Sequence, residues 1–486
     1  MTVSVGTSIR SFDKLFIGGH WIDPSTANRI EIVSPITQEI IASVPAAGNA
    51  DIDTAVAAAR TAFDDGVWPS LSAVERASLM NRVADEIEKR IPEMVKSFTA
   101  EVGAPLAVSQ SFHEMAPALW RRNAELIKTI PSEDARSWDG GGGVVVREPV
   151  GVVGAIVPWN GPVANVSLKM APALAAGCSV VVKPAWEGPA STFLLAEALE
   201  AAGLPDGLVS IVPGGREVGE YLVGHRGVDK ISFTGSTAAG RRVMEVCAQR
   251  IARVTLELGG KSAAIIAEDA DLDGALPFLV GASVGHSGQV CAALTRVLAP
   301  HSRYDEIVDA LGAALGALRV GDPFDPDTAI GPLVAERQRT RVEDYIRLGR
   351  EAGARVVVGG GRPAHLDRGW YVEPTLFADV DNSMQIAREE IFGPVLVVLP
   401  YEGIDEAVAI ANDSEYGLSG AVFTADPEYG EQIARRIRTG QIYVNSAGIC
   451  TAEPFGGFKQ SGLGREGGAE GIGAFLETKL ISRAGA

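Results

Sequence analysis

Between residues 144 and 266, short β-branched runs alternate with Ala-rich runs of helical spacing, and few chain organisations satisfy both periods at once. Strands are predicted near Val152–Val157, Val180–Val182, Val209–Val212, Ile231–Phe233 and Val254–Glu257, with helices at about 165–176, 190–202, 216–224 and 236–250 between them. Continuously apolar strands joined by helices make a parallel sheet covered on both faces. Such sheets bind ligands beyond the carboxyl ends of their strands. A second alternation runs from about 268 to 460, with helices near 303–318, 333–353, 404–412 and 427–437 and strands near 355–358, 394–399, 421–423 and 442–445. The start of the chain reads as strands and then two amphipathic helices, 51–65 and 72–90, with Asp51 and Ser72 as N-caps. The glycine run Gly140–Gly143 reads as a turn feeding an arm or edge strand, Val144–Val146. The expected class is α/β, with two parallel-sheet domains.

A chain of 486 residues with 46% apolar composition can bury the core this requires. A net charge of -18 excludes a general nucleic-acid footprint and favours solubility. One long uncharged stretch, Pro149 to Leu168, contains Pro149, Pro158, Asn160, Pro162 and Asn165, so it is rejected as a membrane helix. The N-terminal stretch lacks a charged-then-apolar layout, so no targeting segment is expected. Cys178, Cys247, Cys291 and Cys450 are widely and irregularly spaced, which suggests a reducing, cytoplasmic compartment and at least one working thiol. No His-x-x-x-His pair occurs, and no metal site is expected.

Several segments carry candidate chemistry. Cys291 lies among small residues in Gly288-Gln289-Val290-Cys291-Ala292-Ala293, after a helical pattern that stops near Gly285. That leaves room for a reactant at sulfur, although a buried inert thiol fits equally. Glu257 ends an apolar strand and opens Leu258-Gly259-Gly260-Lys261, where a carboxylate can face a cleft as a general base or simply be solvated. Phe233-Thr234-Gly235-Ser236 turns a strand into a helix, which suits a pyrophosphate or an ordinary capped turn. Arg241 and Arg242 rule out a Walker site there. Asn160, in Pro158-Trp159-Asn160-Gly161-Pro162, could donate to an oxyanion or only build a turn. Lys183 ends a strand before Pro184, placed for a ribose or phosphate, or for solvent. Glu389-Glu390-Ile391-Phe392-Gly393-Pro394 precedes another apolar strand and reads alone as a turn.

In this order the segments resemble the aldehyde dehydrogenase superfamily, from Leu15-Phe16-Ile17-Gly18-Gly19 to Phe475-Leu476-Glu477-Thr478-Lys479. The most specific parts are Leu256–Ala263, Val284–Thr295 and Pro454–Gly462. The resemblance implies Cys291 as nucleophile, Glu257 as the base that activates water, and Asn160 as the oxyanion amide. The reaction it implies oxidises an aldehyde to its acid through a Cys thiohemiacetal and thioester, with NAD as hydride acceptor. Cofactor contacts are expected from Ile156, Val157, Pro158, Trp159, Lys183, Glu187, Gly215, Gly219, Phe233, Thr234, Gly235, Ser236, Leu258, Glu390 and Phe392. The implied fold has an NAD-binding domain (1–129 and 150–257), a catalytic domain (258–440), and an oligomerisation arm with a C-terminal closing segment (130–149 and 441–486). Family members are mostly homodimers or homotetramers.

The chain departs from the family pattern in places. Trp186 stands where many members have a ribose-binding Glu, with Glu187 next to it, so NAD is favoured and NADP stays open. His286 stands where many members have Asn. Gly161, Ala164 and Leu168 match positions where some relatives carry larger side chains, so a wider tunnel is expected, lined also by Val290, Ala292, Cys450 and Phe455. That favours a bulky neutral aliphatic, terpenoid or aromatic aldehyde. The alternatives are a CoA-acylating dehydrogenase and a non-catalytic protein that kept the fold.

Overall fold

A computed structural model describes residues 8–484. The expectation about targeting therefore falls partly on residues 1–7, outside the described residues. Two large sheets and two small antiparallel ones, one of three strands and one of two (Arg29–Val33 with Ile40–Pro45), organise the chain.

The first large sheet has eight strands, in the order Gly462–Leu463, Arg253–Glu257, Lys230–Thr234, Val152–Val157, Ser179–Pro184, Val209–Ile211, Leu15–Ile17 and His20–Ile22. The middle five strands, from Arg253–Glu257 to Val209–Ile211, are mutually parallel. Every residue of Val152–Val157 and Ser179–Pro184 is buried, as helical cover on both faces demands. Strand order reverses between Val152–Val157 and Lys230–Thr234, which opens a crevice at their carboxyl ends. The predicted elements all appear here, shifted by a few residues at most.

The second sheet has seven strands: Arg355–Val358, Thr375–Ala378, Val395–Tyr401, Arg296–Pro300, Ala263–Ile266, Gly420–Phe423 and Tyr443–Val444. Only the edge pair Arg355–Val358 with Thr375–Ala378 is antiparallel. Successive side chains leave a strand on opposite faces. Ala263 and Ile265 accordingly join one hydrophobic cluster, while Ala264 and Ile266 join the other.

Three local expectations are corrected. The helix Asn49–Asp64 is capped at Gly48, and Asp51 is its third residue. The Asp51 carboxylate accepts from the Gly48 N–H at 2.8 Å and from Ser25 N–H at 2.8 Å, so it fastens the helix start to a neighbouring loop. Ser72 does cap the next helix, with Glu75 completing a reciprocal box, but that helix runs to Val102 and ends at Gly103 in the left-handed region. A further helix, Leu106–Leu126, packs along it and has no counterpart in the sequence reading. Finally, most of the glycine run lies inside the strand Gly141–Pro149, the centre of the small sheet formed with Glu133–Trp138 and Leu476–Ala484. A Cβ on Gly143 would sit 2.4 Å from the Ile481 carbonyl oxygen, so the pairing needs glycine there. Beyond residue 441 the chain contributes to both large sheets and to this three-stranded one in turn: Tyr443–Val444, Gly462–Leu463 and Leu476–Ala484. Among the described residues no helix is long and apolar enough to cross a membrane.

Candidate active site

A cavity of about 370 Å³ opens between the two large sheets. Loops from the first sheet contribute Pro158 to Gly161, Thr234 to Ser236, and Leu258. Loops from the second contribute Val290, Cys291, Glu390 and Phe392. Phe112, Met115 and Leu119, on the unpredicted helix Leu106–Leu126, form one wall.

The nucleophile candidate sits beyond a strained turn. The helix Leu272–Val284 ends, and His286 (φ 53°), Ser287 (φ 56°) and Gly288 (φ 71°) follow in the left-handed region. That conformation costs a non-glycine residue roughly 1–2 kcal/mol. Ser287 Oγ donates to the Gly331 carbonyl at 2.8 Å, and His286 is buried against Phe98 and Phe112. Burial holds the His286 imidazole neutral, down to about 4. Cys291 then emerges partly exposed into the cavity. Burial pushes its thiol up to about 12, and the Glu390 and Glu257 carboxylates add to this, while the N–H groups of Ala292 and Cys291 oppose it.

Asn160 approaches from the other sheet. Its Nδ2 donates to the Gln289 carbonyl at 2.9 Å, so the amide is held against the segment that carries Cys291. Glu257 lies at the end of the strand paired with Gly462–Leu463 and is almost fully buried. Neither of its carboxylate oxygens has a hydrogen-bond partner among the described residues. Burial raises its pKa well above the usual carboxylate range, and Glu466 adds to the rise, while Lys169 and Arg465 oppose it. Gly456 is needed here, because a Cβ on it would fall 2.5 Å from Glu257 Oε1.

Two residues of this cluster went unread in the sequence. Lys169 and Glu466 form a fully buried ion pair, and Ser232 Oγ donates to the same Glu466 oxygen at 3.2 Å. They lie 297 residues apart, and Lys169 is the one charged residue of its helix, Pro162–Ala176. A charge inside an apolar helical run is the one signal that could have exposed Lys169.

A second cavity, of about 380 Å³, meets the first at Ser236. Ile156, Lys183, Gly219 and Phe233 line it. Lys183 Nζ donates to the Gly214 carbonyl at 2.8 Å, and burial lowers its pKa to about 8. The turn between the cavities, Thr234–Ser236, leads into the helix Thr237–Ala248, where Ser236 caps and leaves N–H groups for an anion. A Cβ on Gly259 would fall 2.4 Å from Glu390 Oε2, so glycine there lets that carboxylate reach inward. Glu390 accepts from the Gly260 N–H at 3.2 Å, and burial pushes it up to about 7. Phe392 (φ 63°) meets Trp159 edge-on at 5.6 Å. The pair of cavities, with a glycine-cleared neck and helix N–H groups at it, fits an extended dinucleotide.

Other predicted residues stand elsewhere. Glu187 lines neither cavity; its carboxylate pairs with Arg337 and accepts from Trp186 Nε1 at 2.6 Å. Gly215 caps the helix Arg216–Gly224, and Val157 is buried in the core. Ala292 is buried with Leu418 and Phe455, of which only Phe455 reaches the cavity. Cys450 is outside the lining, which takes its neighbours Ile449 and Thr451 instead. Its main chain is held by Tyr443 and Gln441. The tunnel at Gly161 is narrower than that glycine implies. A Cβ there would meet Phe112 at 3.0 Å and the Asn165 amide at 3.4 Å, so other side chains occupy that space.

The comparisons agree with this geometry. The aldehyde dehydrogenase family matches residues 21–481. A geranial dehydrogenase from Castellaniella defragrans is 50% identical over 96% of this chain and 98% of its own length. A 3-succinoylsemialdehyde-pyridine dehydrogenase from a Pseudomonas species is 42% identical over 97% of this chain and 99% of its own. An aldehyde dehydrogenase of Mycobacterium tuberculosis, solved with NAD+, superposes with a TM-score of 0.96 at 48% identity, covering 98% of both chains. A mutant aldehyde dehydrogenase C of Pseudomonas syringae, solved with NAD+ and octanal, superposes at 0.94 with 40% identity over 98% of both chains. With its two parallel-sheet units and these matches along nearly its whole length, the chain belongs to the aldehyde dehydrogenase family.

Proposed function

We propose that this protein oxidises bulky, neutral aliphatic, terpenoid or aromatic aldehydes to carboxylic acids with NAD, through a thioester on Cys291. One observation carries the reading: a partly exposed thiol and an amide-bearing loop face one largely apolar cavity, and an unpartnered buried carboxylate, Glu257, stands directly behind the lining residue Leu258, near enough for its charge to act on the thiol. The geranial dehydrogenase and the octanal complex support the substrate class.

Cys291 Sγ attacks the aldehyde carbon after giving up its proton. Glu257, whose proton affinity burial has raised, is the fitting acceptor. The Asn160 amide, held by Gln289, and the Cys291 N–H stabilise the oxyanion. NAD, when bound, accepts the hydride. Loss of hydride from the adduct carbon leaves the thioester; Glu257, once it has released the thiol's proton to solvent, takes a proton from water as that water attacks the thioester carbon, and the Cys291 thiolate leaves with the carboxylic acid as product. Lys183, Gly219, Ile156 and Phe233 would hold the adenosine end, Gly235 and Ser236 the pyrophosphate, and Glu390, Phe392, Trp159 and Leu258 the nicotinamide end.

Residues 1–129 and 150–257 act in this reading as the cofactor domain and 258–440 as the catalytic domain. The small sheet serves a homodimer or homotetramer: Glu133–Trp138 is an unpaired edge, and Trp138, Leu480 and Ile481 are exposed on it. A cytoplasmic site suits the four free cysteines.

NADH formation and acid release from geranial and octanal, assayed without CoA, test the proposal. A strict CoA requirement would transfer it to the acylating alternative, which leaves an unpartnered, water-activating Glu257 without a task.

A further inference from the structure

We propose that Asn165 is a specificity-determining residue, a hydrogen-bond acceptor in the substrate wall that selects aldehydes bearing a hydroxyl group. The inference rests on the aldehyde-oxidation reading and narrows its substrate class.

Ala164, Asn165 and Leu168 share one face of the helix Pro162–Ala176 and line the cavity. The wall around them is hydrocarbon: Phe112, Met115, Leu119, Val290 and Phe455. Asn165 is the polar member of this helix face, half-buried and one turn from the loop that carries Asn160; Asn160 and Thr451 also line the cavity. Its orientation is determined by its partner. Nδ2 donates to the Gly161 carbonyl at 2.9 Å, and only the NH2 end of an amide can do so. The main-chain N–H of Asn165 donates to the same carbonyl at 2.8 Å. The Asn165 amide and the Phe112 ring edge share the space that a larger residue at 161 would fill. Oδ1 is therefore the end left over, and no donor among the described residues bonds to it.

A hydrocarbon chain laid along this wall must strip water from Oδ1 and returns nothing. A substrate O–H restores the lost hydrogen bond, while a methyl ether of the same shape cannot. A buried polar group of this kind discriminates through the loss it suffers with the wrong partner. Asn165 is only half-buried, so the discrimination expected is about 10- to 100-fold in kcat/KM, well below that of a sealed site.

The test compares citronellal, hydroxycitronellal and methoxycitronellal, and separately geranial and 8-hydroxygeranial, in wild type and in Asn165→Leu. Wild type should prefer the hydroxylated member of at least one set by about tenfold or more, with the methyl ether ranking beside the parent. Asn165→Leu should erase that preference chiefly by gaining on the parent aldehyde. Should Asn165→Leu unfold, Asn165→Ala gives the same ratio, with thermal unfolding as the check on its fold. Equal kcat/KM across every set in wild type, or an unchanged ratio in the variant that folds, overturns the proposal. NADH formation from the parent aldehydes alone would still uphold the aldehyde-oxidation reading in that case. Inactivity toward all five compounds and octanal would defeat that reading itself.

Discussion

Two buried charges treat their surroundings in opposite ways. Arg296 opens a strand of the second sheet, and its guanidinium donates to the carbonyls of Lys261, Ile410 and Ala411 and to Asn382 Oδ1, each at 3.0 Å. Glu257 ends a strand of the first sheet with both oxygens unpartnered. Burial lowers Arg296 only to about 10, so it stays charged, whereas Glu257 is driven toward its neutral form. A buried ion with its donors used up is scaffold, because any movement breaks several bonds at once. A buried ion with none keeps its affinity for a proton, and natural interiors rarely leave such a group without a purpose.

This contrast can be broken or sharpened by substitution. Cys291→Ala should cut NADH formation by at least about 10⁴-fold in steady-state assays, with the fold intact. Glu257→Gln should lower turnover by about 10²–10⁴-fold and slow the first burst of NADH as well, because the same carboxylate takes the thiol's proton and activates the water, as stopped-flow and steady-state assays would show. The same variant tests the electrostatics. A carboxyl whose folded pKa is raised loses relative stability as pH climbs from the ordinary carboxylate range through the raised value. Glu257→Gln should therefore match wild type in melting temperature at acid pH and exceed it at alkaline pH. An unchanged difference across pH would mean that Glu257 titrates normally. Asn160→Ala should cost about 10²–10³-fold in kcat with KM nearly unchanged. Arg296→Met should behave oppositely to all of these. It should lose about 3 kcal/mol or more of stability in denaturant titrations, because several carbonyls lose a charged donor, yet keep near-normal activity per folded molecule. The smallest effect belongs to Glu466→Gln. Removing that neighbouring charge should shift the acid limb of the pH–rate profile to lower pH, and a static limb would remove Glu466 from the electrostatics of Glu257.

The strands and helices of both large sheets were legible because parallel strands must be apolar on both faces, a pattern that needs no tertiary knowledge. Cys291, Asn160 and Glu257 were singled out through their motifs; Cys291 and Asn160 line the same cavity, and Glu257 is buried behind its lining at Leu258. The edge strand Glu133–Trp138 was not, since it is mostly exposed and its residues carry no apolar alternation. The helix cap at Gly48 was missed because Asp51, a good cap by type, serves from inside the helix. The tunnel was misjudged at Gly161 for a different reason: the side chains that fill its space come from Phe112, on a helix far away in sequence, and from Asn165. Volume given up at one position can be taken back from another element, and no local reading of a glycine shows that.

The strand carrying Glu257 is completed at its edge by Gly462–Leu463, and Glu466 reaches Lys169 only a few residues later. The residues of the thiol segment and of the parallel strands are thus synthesised before the stretch that finishes the carboxylate cluster, and the surroundings of Glu257 are the last part of the site to be made.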